Sequence, residues 1–137
     1  MPELNLDLLC AKTAVAIKGN LRPEVRKQEI EKLTNDSASV LVESGVYAFF
    51  LYLRSREAKE PSAKTISTDT FEMLRGVFPE LGQASDSAGR LVQIVGFSTE
   101  LDRVLLARKL LVQTLTYLRY HAKAMSDKAA PAAGGRG

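Results

Sequence analysis

His121 is the only imidazole in the sequence and Cys10 the only thiol, and neither stands where it could work on a substrate. A metal cluster needs companions at ligand spacing, and HExxH or paired Cys/His patterns are absent. A Ser-His-Asp or Cys-His arrangement would need His121 as its base. In helical projection it falls between Tyr117 and Leu118, at an edge away from the cations, the place of a satisfied boundary histidine. Three and four residues from Cys10 stand Leu6, Asp7, Thr13 and Ala14, none of which would activate a thiol. Cys10 reads as a small buried hydrophobe, and a single cysteine makes no intramolecular disulfide.

The carboxylates give little more. Glu29 with Glu31, and Glu100 with Asp102, are two apart, so a helix turns the members of each pair to different sides. Helical nucleotide pyrophosphohydrolases hold Mg²⁺ with paired ExxE clusters, which Glu57 with Glu60 and Asp69 with Glu72 echo faintly. The first pair runs into Pro61, a helix breaker, and the second fits a helix-start cap. Helical ribonucleases of the HEPN type carry an Arg and a His with four to six residues between them; here the positions that would need Arg hold Thr114, Leu115 and Thr116. The glycines are isolated or lie near the C-terminus, so no phosphate-cradling loop forms. The expectation is a protein without catalysis, cofactor or metal.

Cationic side chains are the remaining candidates. Nineteen basic residues face sixteen acidic ones, for a net charge of +3, so a cationic surface has to come from segregation. Arg22, Arg26 and Lys27 cluster around the start of a helix. Arg54 and Arg56 end a hydrophobic segment, and Arg108, Lys109, Arg119 and Lys123 decorate the last helix. These nine are the candidate nucleic-acid contacts, expected on one exterior region. Cations four apart repel by a few tenths of a kcal/mol, and a polyanion offsets that in a salt-dependent way. The competing reading is an ordinary solvated face, with Arg54 and Arg56 complementing a helix C-terminus. From charge alone that second reading outweighs the first.

The elements that would position these residues are helical. Ser98 to Met125 forms an amphipathic stretch in which Val104, Ala107, Leu111, Leu115, Leu118, Ala122 and Met125 recur at helical spacing. Arg108, Arg119 and Lys123 flank that stripe, with Lys109 further round. Leu4 to Lys18 predicts a first helix with Leu4, Leu8, Ala11 and Val15 on one face and Leu6, Cys10 and Ile17 on another. A helix apolar on two sides is either central to the core or shared with a neighbouring molecule. Gly19-Asn20 predicts a left-handed stop, and Pro23 the first turn of a second helix that Thr34-Asn35-Asp36 interrupts. Asp36 or Ser37 then caps a third, ended by Gly45. Val46 to Glu57 has strand-like content, but no partner strand exists elsewhere and Val46, Phe49, Phe50 and Leu53 fit one helical face.

Ala58 to Ser67 reads as a polar connector broken by Pro61. Asp69 and Glu72 start a short helix that Pro79 ends, and Gly82 to Gly89 reads as a loop. The segment from Arg90 to Gly96 reads as marginally helical, and Thr99 with Asp102 as the cap of the long helix. Residues 1–128 therefore predict a single-domain, all-α bundle of five to seven helices with a long C-terminal amphipathic helix. Residues 129–137 predict a disordered low-complexity tail. The N-terminus is too acidic for a secretory signal and no run approaches the ~18 to 20 apolar residues of a membrane span, so a cytoplasmic location is expected.

Two blocks, DSASVLVESGVYAFFLYLRSRE (36–57) and LLARKLLVQTLTYLRYHAKAM (105–125), in this order and at this chain length, resemble the small helical subunit of type III-B CRISPR effector (Cmr) complexes. With the first helix, they cover under half of the chain. Tyr120 stands where relatives tend to carry Trp, and residues 79–98 have no counterpart. The resemblance implies a non-catalytic antiviral-defense subunit that stacks in multiple copies and contacts the guide RNA–target RNA backbone, while other effector subunits cleave. It carries over to Arg54 and Arg56 at the end of the mid-chain helix and to Arg119 and Lys123 in the last. Arg22, Arg26, Lys27, Arg108 and Lys109 rest on charge placement alone. The alternatives are a small subunit of a DNA-targeting type I-A complex and a helical protein–protein adaptor without nucleic-acid contact.

Overall fold

The computed structural model describes residues 5–125. Among them run six helices and no strand: α1 (Leu6–Asn20), α2 (Lys27–Ser44), α3 (Val46–Arg56), α4 (Pro61–Val77), α5 (Ser87–Phe97) and α6 (Leu101–Lys123). The all-α, single-domain reading and the long final helix hold. The expectations for Leu4 and for the tail from Ala129 lie outside the described residues.

α6 is the centre of the packing and makes its most extensive contacts with α1 and α2. Its buried stripe is Ala107, Leu110, Leu111, Thr114, Leu115, Leu118 and Ala122; against the periodicity prediction Leu110 and Thr114 are added, and Val104 and Met125 are only half-buried. α2 runs antiparallel to it, because Arg108 meets Val42 at one end of the seam and Lys123 meets Glu31 at the other. α3 and α4 complete the core from the other side. There Phe50 stands edge-on to Phe49 at 5.0 Å and to Phe71 at 6.0 Å, a favoured aromatic geometry. α5 closes over α3 and α4, with Phe97 against Phe78 at 4.9 Å. Val46, Phe49, Phe50 and Leu53 are all buried on one face of α3, so the strand-like composition of that segment serves a helix packed along that face.

Several boundaries and one face differ from expectation. On α1 the buried strip is Cys10, Thr13, Ala14 and Ile17, while Leu8 and Val15 are 46% and 57% exposed. That strip faces α6 and α4, the two helices α1 packs on, and the Cys10 thiol reaches the Leu110 carbonyl of α6. Gly19-Asn20 is no left-handed stop; both residues are helical, Leu21 is extended, and Asn20 donates to Asp69 at 2.9 Å. Pro23 lies in a turn, and α2 begins at Lys27, where the Glu29 carboxylate accepts from the Arg26 backbone N–H at 3.1 Å. Thr34-Asn35-Asp36 does not interrupt this helix. The Ser37 hydroxyl bonds back to the Thr34 carbonyl, Thr34 is buried, and Lys32 pairs with Asp36 at 2.7 Å. The two expected helices are therefore one.

Pro61 begins α4 rather than breaking a connector, because at the first helical position its missing N–H costs nothing. Asp69 and Glu72 consequently sit inside α4 and cap nothing. The loop before α5 ends at Asp86, whose carboxylate accepts from the Gly89 N–H at 2.8 Å as the N-cap. Thr99 does not cap α6 either; its hydroxyl donates to the Gly96 carbonyl and Glu100 takes the cap position.

Gly45 does end α2, at φ 99° and ψ −175°, a region essentially reserved for glycine. A Cβ there would meet no atom within 4 Å, so the constraint is the backbone itself. Gly45→Ala is expected to cost about 1–3 kcal/mol in urea denaturation. Gly76→Ala, in the exposed and sterically open last turn of α4, is expected to stabilise by up to about 1 kcal/mol.

Candidate nucleic-acid interface

The nine candidate cations do not share one exterior region. Arg108, Arg119 and Lys123 fall in a row along the α2/α6 seam, since eleven and four residues bring a helix back to nearly the same side. Arg108 donates to the Val42 carbonyl at 2.8 Å, near the C-terminal end of α2, where a cation is favoured. Arg119 borders an open groove with Asn35, Ala38, Ser39, Val42 and Glu43 of α2. Lys123 lies 3.8 Å from Glu31, a long, exposed pair of small net worth. Lys109, one residue beyond Arg108, faces the α1 side instead and borders a cleft with Leu6, Asp7 and Cys10.

Arg54 and Arg56 are tied to neighbouring side chains at the end of α3. Arg56 pairs with Glu60 at 2.8 Å, the acid raising the basicity of the guanidinium. Arg54 donates to the Ser87 hydroxyl at 3.0 Å, and that hydroxyl donates to Glu57 at 3.2 Å. Arg90 completes this network from α5. Its side chain is only 4% exposed, it donates to the Ser67 hydroxyl at 3.1 Å, and it approaches Glu57 at 3.7 Å. Burial lowers its pKa while Glu57 opposes that shift. These groups lock α5 onto α3 and α4, so Arg54 serves cohesion first. Arg22 borders a groove with Glu24, Glu29 and Glu60, a mixed-sign surface near the start of α4. Among the described residues, Arg22, Arg26, Lys109 and Arg119 form no ion pair.

Several of the remaining chemistry-bearing groups also have partners within the fold. Glu57 and Glu60 stand at the end of α3 and the start of α4 and bind the arginines above. Asp69 accepts from Asn20, and Glu72 pairs with Arg75 at 2.8 Å. Among the described residues no three His, Cys, Asp or Glu side chains gather as a metal site. His121 is half-buried at the helix edge. The Cys10 thiol donates to the Leu110 carbonyl at 3.4 Å, and burial pushes its pKa up, so it stays protonated and inert.

One polar cluster had no sequence signal, because its members lie more than a hundred residues apart. Asp7 of α1 accepts from Tyr117 and, at 3.0 Å, from Gln113, both on α6. The tyrosine hydrogen bond, then the glutamine, holds the Asp7 carboxyl below its ordinary range; the same bond raises the Tyr117 phenol. No family model, curated relative or solved structure matches the chain. No helix among the described residues is long and apolar enough to cross a membrane.

The Asp7–Tyr117 bond carries a pH signature. A depressed carboxyl contributes stability above its unfolded-state pKa and loses it as pH falls through the lower folded value. A raised phenol contributes below its ordinary pKa and loses it as pH rises through the higher folded value. The bond is therefore intact from about pH 5 to pH 9. Asp7→Asn is expected to flatten the acid limb of a melting-temperature-against-pH curve, and Tyr117→Phe the alkaline limb. Unchanged limbs in both variants would mean the bond has no thermodynamic weight.

Proposed function

We propose that this chain is the non-catalytic small subunit of a CRISPR ribonucleoprotein effector of the type III-B kind, working in the cytoplasm beside other effector subunits. It touches the guide RNA–target RNA backbone through the row Arg108, Arg119 and Lys123. That row is the observation that carries the reading. It holds three cations along one flank of α6, at the edge of the stripe that the same helix spends on the core. Lys109 extends the positive charge of that helix toward α1. Phosphate contacts of this kind position a polynucleotide without reading its sequence, and base pairing with a guide supplies the choice.

Self-association has its own support. Leu101 and Leu105, 69% and 51% exposed, stand at the start of α6, and Val92 and Val95 project from α5 just before it. Apolar side chains left outward on successive helices suit contact with another protein surface, including a second copy of this chain. The same observation favours the rival reading, a helical adaptor that binds protein alone. A type I-A small subunit, facing DNA, shares the basic row and differs in the polymer bound.

Titration of labelled RNA with purified protein separates these readings. Arg119→Glu with Lys123→Glu is expected to weaken RNA binding at least ten-fold and to make the log–log salt slope shallower by about two, with the melting temperature nearly unchanged. Equal affinity in the variant, or no salt-dependent binding by the wild type, overturns the RNA reading and leaves the adaptor. Tighter binding of DNA than of RNA moves the assignment to the DNA-targeting kind. Leu101→Asp with Leu105→Asp is expected to lower the sedimenting mass at high protein concentration. An unchanged mass distribution would remove these residues from any copy-to-copy contact.

A further inference from the structure

We infer that the solvent-facing back of α6 pairs antiparallel with the same strip of a second copy of this chain, about a twofold axis between Val112 and Gln113. The inference rests on the self-association reading above, gives it a definite surface, and does not need the RNA contact. Asp102, Leu105, Lys109, Thr116, Tyr120 and Lys123 are all exposed, with Val112 and Gln113 half-buried between them. Steps of three and four residues keep these positions on one side of a helix, away from the centre of the buried stripe at Leu111, Leu115 and Leu118. Leu105 and Tyr120, 51% and 62% exposed, are the large apolar members of the strip. Neither belongs to the hydrophobic core.

The strip has the same spacing from either end. Outward from its centre, Lys109 and Thr116, then Leu105 and Tyr120, then Asp102 and Lys123 lie at matching distances along the chain. Reversing one copy against another sets Leu105 on the partner's Tyr120 and Asp102 on the partner's Lys123. Each contact forms twice, as an isologous interface requires. Charge selects this direction. α6 opens with Glu100 and Asp102 and closes with Arg119 and Lys123, so parallel copies would oppose acid to acid and base to base. Antiparallel copies oppose acid to base at both ends. Among the described residues Asp102 and Lys109 form no ion pair, and Lys123 reaches Glu31 only at a long 3.8 Å. Lys109 falls opposite Thr116, whose hydroxyl already donates to the Val112 carbonyl, so no cation meets a cation at the centre. A twofold that reverses α6 against α6 keeps both α2 flanks on the same side of the pair. Arg108 and Arg119 of the two copies then lie side by side, which doubles the cationic surface. The strip is one helix wide, ~10 Å, and about 32 Å long, well short of the ~800 Å² per partner of a standard interface. The pair is therefore reversible and populated at high protein concentration.

Cross-linking of the whole chain tests the register. A disulfide needs Cα atoms within about 7 Å, and the native Cys10 is buried. Diamide oxidation of an equimolar mixture of Leu105→Cys and Tyr120→Cys chains is expected to yield a disulfide-linked dimer, and either variant alone far less. In sedimentation equilibrium Asp102→Lys is expected to weaken the dimer about ten-fold. Adding Lys123→Asp to it is expected to restore the wild-type affinity, with melting temperatures showing that each variant is folded. Cross-links within each single variant at the yield of the mixture indicate a parallel pair and overturn the inference. A dimer that Asp102→Lys leaves unchanged and Val92→Asp abolishes overturns it as well, while the self-association reading stands on α5. A chain that is monomeric at every concentration overturns both together, and RNA binding, measured separately, is unaffected by that result.

Discussion

The burial of one stripe of α6 between α1 and α2 decides most of what this protein can present to others. Ala107, Leu111, Leu115, Leu118 and Ala122 are almost fully enclosed. A side chain such as leucine contributes roughly 1.5–3 kcal/mol when removed from water. Rotating the helix by one residue, about 100°, would withdraw several of these side chains and expose the core. The rotation of α6 is therefore fixed, and with it the direction of every polar residue it carries. Arg108, Arg119 and Lys123 line the α2 seam, and Tyr120 stands in water, because the leucines have no alternative place.

This dependence explains which parts were legible in the sequence. α6 was, because its pattern is long and strictly periodic. The helical nature of α3 followed from the absence of any partner strand, although its residue types favour a strand. The face of α1 was not legible, since two apolar strips compete there and only the tertiary contact with α6 and α4 selects Cys10, Ala14 and Ile17 over Leu8 and Val15. The continuity of α2 was hidden by Thr34-Asn35-Asp36, residues that favour turns in isolation. Burial of Thr34 and the Lys32–Asp36 pair override that preference. Pro61 carried two meanings, breaker or first-turn residue, and only the start of α4 selects between them.

The candidate interface was legible in its helical component alone. Spacing along α6 places Arg108, Arg119 and Lys123 on one flank before any fold is known, but spacing says nothing of what faces that flank. α2 brings Glu31 and Glu43 to it, which reduces the net charge, and Asn35, Ala38 and Ser39, which shape it. For Arg54 and Arg56 the sequence offered a basic helix end, and the fold gives both partners within the chain. Arg54 joins the Ser87–Glu57 network, and Arg56 holds Glu60. Arg90 carried no signal of its role, because its partners Glu57 and Ser67 come from two other elements.

Core and surface are thus coupled on α6 in one direction. The leucine stripe fixes the basic row, but the basic row does little for the leucine stripe. Exposed pairs such as Lys123–Glu31 are worth less than about 1 kcal/mol. Mutual repulsion between cations along the row costs a similarly small amount. Charge at Arg119 and Lys123 can therefore be reversed with little loss of stability, whereas Arg54 and Arg90 cannot be read that way. Removing Arg90 strands Glu57 and Ser67 beneath α5, and removing Arg54 takes a partner from Ser87, so a binding defect in those variants would mix loss of fold with loss of contact. At the α2/α6 seam surface charge separates cleanly from cohesion, because these polar side chains hang on a helix whose rotation the leucine stripe sets.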